Sequence, residues 1–174
     1  TKNSTYVGGI VNQVTGAITL KNIHIVGGTI SGGPNVGDKT RSYIGGLIGS
    51  ATSTVTIEES DVTANITGAN SLGGLIGEGT TVIIRDSYTT STVSGGNTLG
   101  GLIGSSVTTT ITNSYATGDI IGTSSSDGGL VGNSTTTTNI SDSFASGNVT
   151  GTGTLGGLIG KSTGGTITRV YASG

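Results

Sequence analysis

The chain has 174 residues, of which 35 are glycine and one is proline, and it contains no cysteine, methionine or tryptophan. Charged residues make up 9% of it, and the formal net charge is −2. This composition excludes disulfide-stapled domains and thiol chemistry, and it offers no basic stripe for nucleic-acid phosphates and no polybasic patch for anionic lipid. No apolar run approaches the roughly 20 residues that a membrane-spanning helix needs. We therefore expect no nucleic-acid partner and no membrane insertion.

A pentapeptide recurs along the chain at a nearly constant interval. The copies are Gly-Gly-Ile-Val-Asn at Gly8, Gly-Gly-Leu-Ile-Gly at Gly45, Gly73, Gly100 and Gly156, and Gly-Gly-Leu-Val-Gly at Gly128. They begin 37, 28, 27, 28 and 28 residues apart. A fixed period of this length is typical of solenoids and repeat arrays, not of globular domains.

Each repeat contains three short β-prone segments separated by Gly, Ser, Asn and Asp, which are turn formers. The apolar residues show no sustained helical spacing, and glycine costs roughly 1 kcal/mol per site inside a helix. The sequence therefore predicts an all-β fold, a parallel β-helix or β-solenoid of about six three-sided coils with a period of about 28 residues. We expect it to form a single repeat domain over residues 1–174.

Equivalent residues of stacked coils should form ladders that hold the solenoid together. One inward ladder is predicted for Leu47, Leu75, Leu102, Leu130 and Leu158. A further inward ladder, with stacked rings, is predicted for Tyr88, Tyr115, Phe144 and Tyr171. The glycine doublets are expected either to adopt positive φ at a corner or to let another backbone approach closely.

The first interval is the longest and holds an insertion around residues 33–42, which includes the only proline. Insertions in solenoid repeats form loops on one face, often the binding face. The candidate binding loop consists of Pro34, Asp38, Lys39 and Arg41. A plain surface loop is the competing interpretation.

Threonines alternate along the second segment of several repeats. The candidate threonine face consists of Thr54, Thr56, Thr108, Thr110, Thr112, Thr136, Thr138, Thr166 and Thr168. Such arrays resemble those of ice-binding β-solenoids. The third repeat interrupts the pattern with Val82-Ile83-Ile84-Arg85, and threonine also suits exposed strands generally.

Few residues have the types and spacing that catalysis or metal binding requires. Glu58, Glu59 and Asp61 form the only tight acidic group, which is either a calcium or carboxylate-pair site or a solvated corner of turn-forming residues. His24 is the sole histidine and has no cysteine or second histidine to share a metal with. We expect no catalytic residue, no cofactor and no metal site.

Two repeats carry a second recurring motif, Asn113-Ser114-Tyr115-Ala116-Thr117-Gly118 and Asp142-Ser143-Phe144-Ala145-Ser146-Gly147. Together with the Gly-Leu-Ile-Gly core, these residues resemble the GLUG motif over Gly45 to Gly174. The resemblance implies a bacterial or archaeal surface or secreted protein, such as an adhesin-like chain or the non-catalytic region of an IgA-specific peptidase. It implies no catalytic residues. The first repeat departs from the motif at Asn12 and His24.

We therefore expect a non-enzymatic, extracellular or cell-surface β-solenoid that acts as a stiff spacer, an adhesin segment or a filament subunit. The expected partners are a glycan or a host surface protein, and open coil ends predict end-to-end self-association. An ice-binding protein that uses the threonine face is the alternative. A carbohydrate-active β-helix enzyme is the further alternative.

Overall fold

The computed structural model describes residues 4–32, 41–123 and 125–174. Within these ranges the regular secondary structure consists of 23 β-strands, which form three sheets. Every strand pairing is parallel and joins one coil to the next.

Sheet 1 contains six short strands, each of which opens a coil. They are β1 (Ser4–Gly8), β6 (Arg41–Gly45), β10 (Ser71–Gly73), β14 (Thr98–Gly100), β18 (Ser126–Gly128) and β21 (Thr154–Gly156). We number the coils 1 to 6 by these strands.

Sheet 2 contains twelve strands and forms the widest side of the solenoid. Its long side consists of β2 (Val11–Val14), β3 (Ile18–Lys21), β7 (Ile48–Glu58), β11 (Ile76–Arg85), β15 (Ile103–Thr112), β19 (Val131–Ala145), β22 (Ile159–Ser162) and β23 (Gly165–Ala172). Beyond a sharp corner it continues as β4 (His24–Ile25), β8 (Asp61–Val62), β12 (Tyr88–Thr89) and β16 (Tyr115–Ala116).

Sheet 3 closes each circuit before the chain rises to the next coil. Its strands are β5 (Thr29–Ser31), β9 (Asn65–Gly68), β13 (Val93–Gly95), β17 (Ile120–Gly122) and β20 (Val149–Thr150). The described chain thus completes five coils and part of a sixth. The predicted all-β parallel solenoid is confirmed, with a coil count slightly below the expected six.

The glycine doublets form the corner between sheets 1 and 2, and close backbone approach explains them. A Cβ on Gly101 would overlap the carbonyl oxygen of Gly129 in the next coil and lie 2.5 Å from the Ala116 Cβ. A Cβ on Gly100 would overlap the carbonyl oxygen of Ile103 and lie 2.7 Å from the Gly132 nitrogen. Neither glycine of any doublet has a positive φ, so the second of the two predicted explanations is the correct one.

The opposite corner, in the middle of sheet 2, does require positive φ. One residue in each coil has a φ of 49–57°, and these residues are Asn22, Glu59, Asp86, Asn113, Asp142 and Arg169. Asparagine and aspartate tolerate this left-handed conformation better than most residues, which explains their frequency here.

A ladder of buried serines follows this corner. Ser87 Oγ donates to the Arg85 carbonyl at 2.7 Å and accepts from the Ser60 N–H at 3.1 Å. Ser114 and Ser143 repeat both contacts in the next two coils. Each hydroxyl therefore satisfies one backbone group of its own coil and one of the coil before it.

The core is a narrow column with two apolar clusters. The larger cluster lies inside sheet 2 and includes Leu47, Leu75, Leu102 and Leu130, all fully buried, with Leu158 partly buried against it. The smaller cluster lies between sheets 1 and 3 and includes Leu72 and Leu99. The predicted leucine ladder is therefore confirmed.

Candidate functional site

The outer side of the long strands of sheet 2, which we call the long face, is the broadest regular surface of the described chain. Along these strands, alternate residues point into the core and outward. Val55, Val82 and Ile84 are fully buried, whereas the residues between them are half-buried or exposed. The outward residues of successive coils stand in columns along the solenoid axis, about 4.8 Å apart.

Threonine dominates two of these columns. The first is uninterrupted and consists of Thr54, Thr81, Thr108 and Thr137. The second consists of Thr19, Thr56, Ile83, Thr110, Asn139 and Thr166. Five of the nine predicted threonines stand in these two columns. Thr112 and Thr168 occupy the neighbouring column, with Ser141 between them, so seven of the predicted threonines belong to the long face.

Two residues of the predicted threonine face were placed wrongly. Coil 5 has one more residue than coil 4 between Ser134 and Thr137, so that Thr108 pairs with Thr137 and not with Thr136. Thr136 lies in the bulge, and Thr138 points inward with 1% exposure. Ser162 Oγ donates to the buried Thr138 hydroxyl at 3.0 Å, which compensates for its burial.

A groove of about 200 Å³ crosses the long face beside the threonine columns. Coils 2 and 5 each have one residue more at this point than coils 3 and 4, which lie between them. The two bulged segments flank the groove, and the shorter segments form its floor. Its lining includes Thr52, Glu78, Thr80, Ser105, Val107 and Thr135.

The groove combines hydroxyls, one carboxylate and an apolar patch. Thr52, Thr80 and Thr135 each donate a long hydrogen bond of 3.4 Å to a carbonyl of the preceding coil. Val107 occupies the equivalent position in coil 4 and is 42% exposed. Because each threonine hydroxyl is held by only a weak bond, its oxygen can also accept a hydrogen bond from a ligand.

The charged residues beside the long face pair with one another. Lys21 Nζ lies 2.9 Å from Glu59 and 3.5 Å from Glu58, and Arg85 lies 3.6 Å from Glu58. Hydrogen bonding and charge attraction from Glu59, with a further contribution from Glu58, raise the pKa of Lys21. The acidic group predicted at Glu58, Glu59 and Asp61 is thus divided among cationic and histidine partners.

Asp61 contacts the histidine of coil 1, whereas Glu58 and Glu59 pair with lysine and arginine. Its Oδ1 pairs with His24 Nδ1, and His24 Nε2 lies 3.1 Å from the Asn22 side-chain oxygen. Asp61 is 8% exposed, so this pairing compensates a nearly buried carboxylate. His24 stands in the position that tyrosine or phenylalanine has in coils 3 to 6.

The aromatic column is stacked as predicted, but it lies on the outside of the solenoid and not in the core. Ring centroids are 4.8 Å apart for Tyr88 and Tyr115, 4.8 Å for Tyr115 and Phe144, and 5.0 Å for Phe144 and Tyr171. The rings are half-buried or exposed, and their faces cover one another. Partial burial, with smaller effects from Tyr88 and Asp61, raises the pKa of Tyr115.

The predicted binding loop is described only at its end. Pro34, Asp38 and Lys39 lie outside the described residues. Arg41 opens β6, and its backbone pairs with Ser4 of β1. The candidate site therefore consists of the long face and its groove.

Sequence comparison of the repeats missed several residues of this site. Thr81 and Thr137 occupy the first threonine column, and Glu78 and Val107 line the groove. The sequence feature that could have revealed them is a one-residue difference in length between coils. Such a difference shifts the alternation of inward and outward residues.

Residues 4–32, 41–123 and 125–174 contain neither a cluster of metal ligands nor a membrane-spanning helix. No set of three or more His, Asp or Glu side chains within these ranges is grouped so that it could hold a metal ion. The same ranges contain no helix of the length and apolarity that crossing a membrane demands.

The family model of the GLUG motif matches the chain twice, at residues 95–121 and 124–150. Each match begins near the end of a sheet 3 segment, passes through sheets 1 and 2 and returns to sheet 3, so that one motif corresponds to one coil. No curated protein and no solved structure matches the chain. The resemblance carried by the Gly-Leu-Ile-Gly and Asx-Ser-aromatic-Ala residues is thereby confirmed for residues 95–150.

Proposed function

Because this chain carries GLUG repeats wound into a β-solenoid, a structural repeat module, we propose that it is a non-enzymatic adhesive segment of a secreted or cell-surface protein. In this role the solenoid is a stiff support, and the groove of the long face binds a glycan. The groove is the observation that carries the proposal.

The solenoid suits a stiff support because each coil is bonded to its neighbours along its whole circuit. All three sheets, the serine ladder and the aromatic stack run along the same axis. Coils of a repeat protein contact mainly their neighbours, and the shape follows from a constant step between them. A groove built on such strands keeps its geometry better than one built on loops.

The groove fits a saccharide because both the groove and a sugar ring combine hydroxyl groups with apolar C–H surface. Sugar hydroxyls donate and accept hydrogen bonds, as do the hydroxyls of Thr52, Thr80, Ser105 and Thr135. The Glu78 carboxylate adds an acceptor, and exposed Val107 adds an apolar surface for the C–H groups of a sugar ring. The low net charge favours a neutral glycan over a polyanion.

The surface location is supported by composition and by the motif. The chain is rich in serine and threonine, weakly charged and free of cysteine. It carries the GLUG motif, and resemblance to that motif implies a surface or secreted protein. The proposal assigns no catalytic group. It is supported by the acidic group Glu58, Glu59 and Asp61, whose carboxylates pair with Lys21 and His24 within the chain.

The proposal is tested by screening the purified chain against an array of neutral oligosaccharides and measuring the affinity of each bound glycan by calorimetry. We expect saturable binding that weakens at least about tenfold in Glu78→Gln and Thr80→Val, because the first change replaces a charged acceptor with a neutral amide and the second removes a hydroxyl. Thr166→Val, on the same face outside the groove, is the matched control and should bind like the parent chain.

Two results would count against an adhesive groove. Absence of saturable binding across the array would leave a spacer role, which requires no ligand. Equal weakening in Thr166→Val and in the groove variants would place the glycan elsewhere on the long face.

Ice binding is a second candidate because the column Thr54, Thr81, Thr108 and Thr137 is uninterrupted. Ile83 and Asn139 interrupt the neighbouring column, so the regular threonine surface available to ice is only one column wide there. Thermal hysteresis of the purified chain measures this activity directly. A hysteresis gap that disappears in Thr81→Lys would support it, and the absence of a gap in the parent chain would exclude it.

A further inference from the structure

Asp127 occupies a core position that the other coils give to an apolar residue. In sheet 1 the inward column consists of Val7, Ile44, Leu72, Leu99, Asp127 and Leu155. Asp127 has no exposed surface. A carboxyl group thus stands between two leucines, where the apolar cluster of sheets 1 and 3 is interrupted.

The Asp127 carboxyl is only half satisfied. Its Oδ1 accepts a hydrogen bond from the Leu99 N–H at 3.2 Å. Its Oδ2 is buried and has no hydrogen-bond partner among the residues that the structure describes. A buried polar atom without a partner is unfavourable, and far more so when it carries charge.

Glycines of sheet 3 and of the segment after it make room for this carboxyl. A Cβ on Gly122 would overlap Oδ2, and a Cβ on Gly151 would lie 2.8 Å from it. The carbonyl oxygen of Gly122 lies 3.3 Å from that same Gly151 Cβ position. The space that the Asp127 carboxyl occupies is therefore available because both residues lack a Cβ.

No charged group faces Asp127 from the strands around it. The neighbouring strands β14, β17, β20 and β21 contain no titratable residue. The two other strands packed against β18 carry Asp142 and Lys161, which are both exposed on the outside of the solenoid. Nothing in these six strands compensates a negative charge at Asp127.

Burial raises the pKa of Asp127 above its ordinary value of 3.8, against the smaller opposing effect of the Leu99 N–H. The folded chain therefore prefers the protonated carboxyl more strongly than the unfolded chain does. The protonated Asp127 carboxyl therefore stabilises the folded chain fully below the ordinary pKa. This stabilisation is lost as the pH rises through the raised pKa.

We infer that Asp127 makes coil 5 a pH-dependent joint of the solenoid. With the carboxyl protonated, the side chain packs between Leu99 and Leu155 and keeps sheets 1 and 3 in contact. When the proton dissociates, the carboxylate turns out to water, and the contact of β18 with β17 and β20 opens. The other coils keep apolar residues at this position and stay closed.

Hydrogen–deuterium exchange of the full chain tests this joint. Protection of peptides that cover β18 and β20 is measured at about pH 4 and about pH 8 and corrected for the pH dependence of intrinsic exchange. We expect it to fall by roughly tenfold or more at the higher pH, the ratio that corresponds to one buried polar group without a partner. Peptides that cover β10, with Leu72 at the equivalent position, should keep their protection.

Two variants separate titration of Asp127 from other effects of pH. Asp127→Leu restores the apolar column and should be highly protected at both pH values. Asp127→Asn keeps the shape without a titrating proton and should show no change with pH. The inference would be overturned by constant protection of β18 in the parent chain. It would also be overturned if both variants lost protection at the higher pH as the parent chain does. If Asp127→Leu does not fold, the comparison of the parent chain with Asp127→Asn decides.

Discussion

At the scale of the residue, each position of the Asx-Ser-aromatic-Ala motif has a different structural task. In coil 4, Asn113 adopts the left-handed conformation that turns the strand, and Ser114 joins the buried hydroxyl ladder. Tyr115 stacks on the rings of both neighbouring coils, and the Ala116 methyl fills the space left by Gly101. The motif and the glycine doublet are therefore complementary parts of one cross-section.

Replacing Ser114 with alanine should destabilise the solenoid. The change leaves the buried Ser87 N–H without its acceptor. It also removes one of the two donors of the Thr112 carbonyl, which still accepts from the Asp86 N–H. We expect a loss of roughly 1–3 kcal/mol of unfolding free energy, measured by denaturant titration. Ser125→Ala removes an exposed hydroxyl and should leave the midpoint unchanged; equal midpoints for the two variants would contradict a role of the ladder.

Replacing Gly101 with alanine should also destabilise the chain, for a steric reason. The added methyl would overlap the Gly129 carbonyl and press on Ala116, so the two coils must separate. Overpacking of this kind costs roughly 1–3 kcal/mol or more. Gly16→Ala is the control, because no heavy atom lies within 4 Å of its added Cβ, and we expect it to be neutral or to stabilise by up to about 1 kcal/mol. Melting curves that rank the two variants in the opposite order would refute this explanation.

At the scale of the element, the aromatic column ties coils 3 to 6 together on the outside of the corner. Adjacent rings are nearly parallel, with interplanar angles of 7°, 4° and 8°. Tyr115 and Phe144 each contribute to two of the three stacks, so a substitution at either position should have a larger effect than one at the ends of the column.

Tyr115→Ala should cost about 1–3 kcal/mol, because each of its two ring pairs contributes roughly 0.5–1.5 kcal/mol. Tyr115→Phe keeps both stacks and should remain within about 0.5 kcal/mol of the parent chain, since the ring sits at the surface. Denaturant titration of both variants measures the difference. If Tyr115→Phe were as unstable as Tyr115→Ala, the hydroxyl would matter more than the ring.

The repeat pattern predicted the strands and ladders well because equivalent residues recur in register. Leu47, Leu75 and Leu102 lie in one column, and the aromatic residues stack on one another, as their spacing indicated. The prediction that the aromatic column points inward was wrong. A half-buried column on the surface recurs at the same interval in the sequence as a column in the core.

The candidate site was harder to predict than the fold. Thr138 was assigned to the wrong side because the extra residue of coil 5 reverses the alternation beyond Ser134. The groove arises from length differences between coils and carries no motif of its own. Asp127 was hidden because it replaces a leucine in a short strand, where alternation alone does not reveal the inward residue.

At the scale of the whole molecule, the coils form a one-dimensional stack in which each contacts mainly its neighbours. Ser94 pairs with Ile121, and Gly95 pairs with Gly122, so the segment 95–121 is one circuit of the solenoid. Removing it joins Ser94 to Gly122, the residue that pairs in register with Gly95.

Deletion of residues 95–121 should therefore leave a folded solenoid that is one coil shorter. We expect unchanged β-type circular dichroism per residue and a rod about 4.8 Å shorter by small-angle scattering. Deletion of residues 95–108 is the control, because it joins sheet 3 to the middle of a long strand and should abolish folding. A folded control or an unfolded one-coil deletion would contradict a purely modular stack.

The parallel pairing of successive coils also determines how the chain responds to a pulling force. Hydrogen bonds between coils lie along the solenoid axis, and a coil peeled from its neighbour is released as a free segment. A segment of 27 residues extends to roughly 90 Å, whereas the coil that it formed adds only about 4.8 Å to the rod. Under load, this rod would lengthen in steps of nearly twenty times the coil height, so a rigid spacer at rest is an extensible tether when it is pulled.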